Sequence, residues 1–150
     1  MLDMKIYIGA DHAGYELKEN LKTYLIGLGL EIIDKGASEL NNNDDYPDFI
    51  RPVAEAVAED WETKGSFGII IGGSGQGEAM CANRVKGIRA SVYYGHALDM
   101  IKTTREHNNA NILSLGSRFM TVDEAKVAVK LFIDTKFSND ERHVRRIKNF

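Results

Sequence analysis

At 150 residues, 43% hydrophobic and 27% charged, the chain has the size and make-up of one globular domain. Its net charge of −3 gives no global attraction for nucleic acid, and no apolar run approaches the roughly 18 residues of a membrane span. A single cysteine, Cys81, excludes an intrachain disulfide and a thiolate metal cluster; with no apolar leader in Met1 to Lys5, a cytoplasmic protein is expected.

Short apolar runs alternate with longer segments of helical period. Lys5 to Gly9 reads as a first strand, broken by Asp11-His12-Ala13-Gly14. Leu17, Leu21, Tyr24, Leu25 and Leu28 then mark one face of a helix that Gly27 and Gly29 close. Glu31 to Asp34 is a second strand, and the Asn- and Asp-rich stretch from Lys35 to Asp45 is a loop. After Tyr46-Pro47-Asp48 a helix buries Ile50, Val53, Val57 and Trp61, with Pro52 expected in its first turn. Ser66 to Ile71 is apolar on both faces, as a central parallel strand is. Gly72-Gly73-Ser74-Gly75-Gln76-Gly77 follows, then a helix from Glu78 to Arg84, a strand from Ile88 to Tyr93, and a helix from His96 to Glu106. Ile112 to Leu115 is the last strand. Thr121 and Glu124 have capping-box spacing for a helix ending near Phe137, and a basic, helical tail runs from Asp140 to Phe150. The alternation predicts one α/β domain, a parallel sheet covered by helices on both faces, with ligands at the carboxyl ends of its strands. Asp11-His12, the glycine loop and Gly116-Ser117-Arg118 all fall there.

The glycine loop costs backbone entropy, and a row of exposed main-chain N–H groups is the return expected, able to hold a phosphate or an oxyanion. Its G-x-G-x-G spacing after the third strand is neither a dinucleotide fingerprint nor a P-loop. A tight turn with no ligand is the plainer alternative. Glu78 opens the next helix, where it is either a proton-transferring carboxylate or an ordinary helix-start residue. Asp11 is a candidate helix cap as well as a site residue. His96, His107 and His143 lack metal-ligand spacing, and Cys81 reads as a small buried apolar residue. Arg142 and Arg146, four apart, share a helical face and suit a phosphate clamp that Arg118 could join; a solvated basic helix end is the alternative.

Ile8 to Gly14, Asp45 to Asp48, Gly68 to Gly77, Ala82 to Arg84, Gly87 to Ala90, His107-Asn108, Gly116 to Arg118 and Arg142-His143 together resemble the type B ribose-5-phosphate isomerases, a family that includes galactose-6-phosphate isomerase. The resemblance spans nearly the whole chain. It implies a Rossmann-like three-layer α/β/α fold with a five-stranded parallel sheet; no cofactor is expected, and the histidine spacing predicts no metal site. It also implies a homodimer or homotetramer with active sites between subunits, residues 138–150 serving as a basic extension toward a partner. By the same resemblance Asp11 and His12 hold the sugar and help open its ring, and Tyr46 lines the pocket. Ser74 and the amides of Gly73, Gly75, Gln76 and Gly77 cradle an enediolate. His107, Asn108, Arg118, Arg142 and Arg146 serve ring opening and phosphate, some from a partner chain; His143 is a weaker candidate. Many members carry a cysteine base at the end of the third strand, where this chain has Gly72. Another branch uses a glutamate after the loop, which Glu78 matches, so Glu78 is the expected base.

The expected reaction interconverts ribose 5-phosphate and ribulose 5-phosphate through an enediolate. The alternatives are isomerisation of allose or galactose 6-phosphate and a non-catalytic phospho-ligand module. A receiver domain is disfavoured because its phosphoacceptor position holds Gly72.

Overall fold

The computed structural model describes residues 3–150. Five parallel strands, β1 (Lys5–Ala10), β2 (Glu31–Asp34), β3 (Phe67–Gly72), β4 (Ala90–Tyr93) and β5 (Ile112–Gly116), lie in the order β2-β1-β3-β5-β4. The helices are α1 (Tyr15–Gly27), α2 (Pro47–Lys64), α3 (Gln76–Ala82), α4 (Leu98–Glu106), α5 (Val122–Asp134) and α6 (Glu141–Ile147), with a short 3-10 turn at Ser117–Phe119. The expected three-layer α/β/α architecture with a five-stranded parallel sheet is what forms.

Two apolar layers cover the sheet, sorted by the two-residue period of its strands. Ile6, Ile8, Ile69, Ile71, Leu113 and Leu115 face α1, α4 and α5. Tyr7, Ile70 and Ile112 face α2 and α3. β3, at the centre, is buried along its whole length, which explains a run of apolar residues with no alternation. No helix is long and apolar enough to cross a membrane among the described residues.

Several boundaries differ from the sequence reading. Pro52 is not in the first turn of α2; that place belongs to Pro47, and Pro52 lies inside the helix. It forgoes one main-chain bond there, and the apolar face of Ile50, Val53, Ala54 and Val57 keeps the helix on the sheet regardless. Leu28 is the exposed cap of α1 rather than part of its buried face. The capping box at Thr121 and Glu124 forms, but α5 stops at Asp134, because Thr135 is extended and its N–H and hydroxyl both bond the Leu131 carbonyl. Cys81 is half-buried, at the margin of the α2–α3 layer, rather than enclosed.

Candidate active site

β1 ends at Ala10, and the chain turns at once: Gly14 N–H bonds the Asp11 carbonyl, and Asp11 Oδ1 accepts the Ala13 N–H at 3.0 Å. Asp11 closes this local turn and does not cap α1, whose N-cap is Gly14. The turn also removes the strand alternation that would have sent Asp11 and His12 to opposite faces. Both join Asp44, so that one ligand atom from each lies within 4.8 Å of the others. His12 Nδ1 is 2.7 Å from Asp44 Oδ1, which also accepts the His12 main-chain N–H at 3.1 Å. In the sequence Asp44 is only one member of a polar loop. Nothing in that stretch marks one Asp or Asn above its neighbours.

β3 runs directly into the glycine loop. Gly75 has φ +77°, a conformation that favours glycine, and it caps α3. Its carbonyl accepts from Ser114 Oγ at 2.7 Å, which anchors the loop to β5. The main-chain N–H groups of Ser74, Gly75 and Gly77 meet no acceptor among the described residues, whereas Gln76 N–H bonds Ser74 Oγ at 3.2 Å. Tyr46, at the start of α2, rests its hydroxyl against Gly77. The Arg118 N–H bonds the Gly73 carbonyl at 3.1 Å, and its guanidinium lies over Gly73.

Glu78 turns inward from the first turn of α3. It is 5% exposed, and its Oε2 has no hydrogen-bond partner among the described residues. Burial raises its pKa above the ordinary carboxylate value; its own N–H partly opposes this, and the nearby charge of Asp11 adds to the rise. A carboxylate so placed, following a loop of free amides, can accept a proton from carbon while the amides receive the negative oxygen that results.

The remaining predicted residues gather elsewhere. His107 and Asn108 follow α4 and precede β5, at the amino end of the sheet. β5 alone places them roughly 13 Å from the end that carries Arg118. His107 stacks on His143 of α6 with ring centroids 4.3 Å apart. Burial, helped by the neighbouring His107 and Arg142, holds the His143 imidazole below its usual pKa. Arg142 and Arg146 flank it, exposed and without a carboxylate partner among the described residues, whereas Arg145 pairs with Glu141. The predicted residues therefore fall into two groups at opposite ends of the sheet. Asp11, His12, Tyr46, Ser74, Glu78 and Arg118 lie with the glycine loop at the carboxyl end. His107, Asn108, Arg142, His143 and Arg146 lie at the amino end.

The family described as Ribose/Galactose Isomerase matches residues 6–150. A ribose-5-phosphate isomerase B of Mycobacterium tuberculosis is 43% identical over 147 residues, covering 98% of this chain and 88% of that protein. The structure of ribose-5-phosphate isomerase B from Mycoplasma genitalium, with bound ribulose-5-phosphate, superposes with a TM-score of 0.91 at 36% identity, covering 98% of this chain and 93% of that one. The enzyme from Thermotoga maritima gives a TM-score of 0.88 at 40% identity, covering 98% and 97%.

Proposed function

Because the chain belongs to the ribose/galactose isomerase family, we propose that it interconverts ribose 5-phosphate and ribulose 5-phosphate by proton transfer through an enediolate. The observation that carries the reading is the buried carboxylate of Glu78 beside the unpaired amides of the glycine loop. Glu78 removes the C2 proton of the open-chain aldose. The C–H electron pair forms the C1–C2 double bond, and the carbonyl pair moves onto O1. Amides of the loop and the Ser74 hydroxyl stabilise the charge as it develops, while Arg118 adds a positive field. The proton then returns from Glu78 to C1, and a hydroxyl proton passes from O2 toward O1 by way of Ser74 or Asp11. The raised pKa makes Glu78 a stronger base than an exposed carboxylate, as proton abstraction from carbon requires.

Ring opening and phosphate binding need the second half-site. Arg142 and Arg146 supply paired guanidinium groups for a phosphate, with His107 and Asn108 beside the sugar hydroxyls. They sit at the opposite end of the same sheet from Glu78, so a complete site forms only where two copies meet. A two-fold dimer would build two such sites, each with Glu78 from one chain and His107 and Arg142 from the other. Residues 138–150 then act as an extension onto the partner. A cytoplasmic location suits the single cysteine.

The test is ribulose 5-phosphate formation in a coupled assay with EDTA present and no metal added. Turnover that survives chelation supports the reading. Turnover only on allose or galactose 6-phosphate would move the substrate to a hexose, and phosphosugar binding without turnover would leave a binding module.

A further inference from the structure

We propose that Asp44 is a positioning residue that fixes His12 as its Nδ1–H tautomer and presents Nε2 to the sugar phosphate. This rests on the isomerase reading above and deepens it.

One oxygen, Asp44 Oδ1, receives both the main-chain N–H of His12 at 3.1 Å and the imidazole Nδ1 at 2.7 Å. A carboxylate only accepts, so the nitrogen facing it carries the hydrogen. The Asp44 side chain is 7% exposed, and its own N–H is tied back to the Asn41 carbonyl at 3.1 Å, so the acceptor is fixed in place. Nε2 makes no hydrogen bond among the described residues, and the His12 side chain is 30% exposed, so that nitrogen is open to a ligand. Asp11 Oδ2 stands 3.9 Å from Nδ1, beyond hydrogen-bond reach, so the pairing is with Asp44. A cation shared by Asp11, His12 and Asp44 is the competing use of the same atoms. Two ligands on one ion stand about 3 Å apart or more, since each is about 2 Å from the metal. The 2.7 Å separation of His12 Nδ1 and Asp44 Oδ1 is that of a hydrogen bond.

The experiment uses the full chain with 15N-labelled histidine. A long-range 1H–15N spectrum, taken where the ring is neutral, reads the His12 tautomer, with His12→Gln supplying the assignment. The expected wild-type form is Nδ1–H. Asp44→Asn should keep it, because the His12 main-chain N–H holds the amide oxygen toward the ring. Asp44→Ala should release it. On ribose 5-phosphate, Asp44→Ala should raise KM about tenfold, the loss of the one acceptor that orients the His12 ring, and change kcat by less than about threefold. Asp44→Asn should stay within about twofold of wild type, and Asp44→Ala should add nothing in a His12→Gln background. Nε2–H in the wild type overturns the proposal, and that result needs no variant to fold. So does independent multiplication of the Asp44 and His12 effects. A shift of the Nδ1 resonance on adding Zn2+ would make the trio an ion site instead. Absence of turnover in the wild type would remove the isomerase reading, while the tautomer spectrum would still decide what Asp44 does to His12.

Discussion

The Glu78 carboxylate fills the space into which a side chain at Gly72 would project; a Cβ built on Gly72 overlaps Glu78 Oε1. Glycine at the end of β3 and the inward carboxylate of α3 are thus two halves of one arrangement. Gly72→Ala should drive Glu78 from its seat and lower kcat about a hundredfold, the scale of an ångström-sized misplacement of a reacting group. The same substitution in a Glu78→Gln background should cost little more. Steady-state kinetics of the three variants check this.

Glu78 should weaken the fold at neutral pH. Its pKa is raised by burial and by Asp11, so the folded chain favours the protonated acid. That stability is fully present below the unfolded carboxyl pKa of about 4.3, and it is lost as pH rises through the higher folded value. Glu78→Gln should therefore melt above wild type near about pH 7, and the gap should close by about pH 4. Its kcat should fall by about a hundred- to ten-thousand-fold. Melting curves at the two pH values, with kinetics on the same samples, test both halves.

The pH–rate profile should carry the same signature. The base must be ionised, so kcat/KM should fall as pH drops through the Glu78 pKa, on a limb above the ordinary range of an exposed glutamate. An acid limb within that ordinary range would assign the abstraction to a less buried group.

The proposed sharing of the site between two chains gives a complementation test. Glu78→Gln and Arg142→Ala should each be impaired alone, the second through KM. A mixed dimer would pair an intact Glu78 with an intact Arg142 at one of its two sites. Random exchange makes half the dimers mixed, so about a quarter of wild-type activity should return. No recovery after verified subunit exchange would place both residues in a site on one chain.

Arg105 holds together the segments that carry His107 and lead to α6. It is 4% exposed and lies over the Phe67 ring with its guanidinium carbon 4.9 Å from the centroid. It bonds the carbonyls of Thr135 at 3.0 Å and Ala110 at 2.7 Å, and burial, with the charge of Arg89, lowers its pKa to about 10. These bonds tie the turn after His107 to the end of α5, from which α6 departs. Arg105→Met should cost about 2–4 kcal/mol by stranding buried carbonyls, measured by urea unfolding.

Local signals encode element type well. The 3.6-residue spacing of Leu17, Leu21 and Leu25, the capping box at Thr121 and the doubly apolar β3 each correspond to a structural cause. Pro52 misled because burial of one helix face outweighs the loss of a single main-chain bond, a balance no local rule contains. The arginine spacing of α6 was legible, but not that α6 lies beside His107, because that contact follows from the path of the chain after α5.

By itself, then, the sequence determined the alternation of strands and helices, the anion-ready glycine loop and the carboxylate that follows it, because each is encoded within a few neighbouring residues. Only the tertiary structure decided that Asp44 would reach His12 across 32 positions, that Glu78 would lie against Gly72, and that the arginines of α6 would sit at the opposite end of the sheet. Those relations depend on the strand order β2-β1-β3-β5-β4 and on how helices close over it, and hydrophobic period carries no record of either.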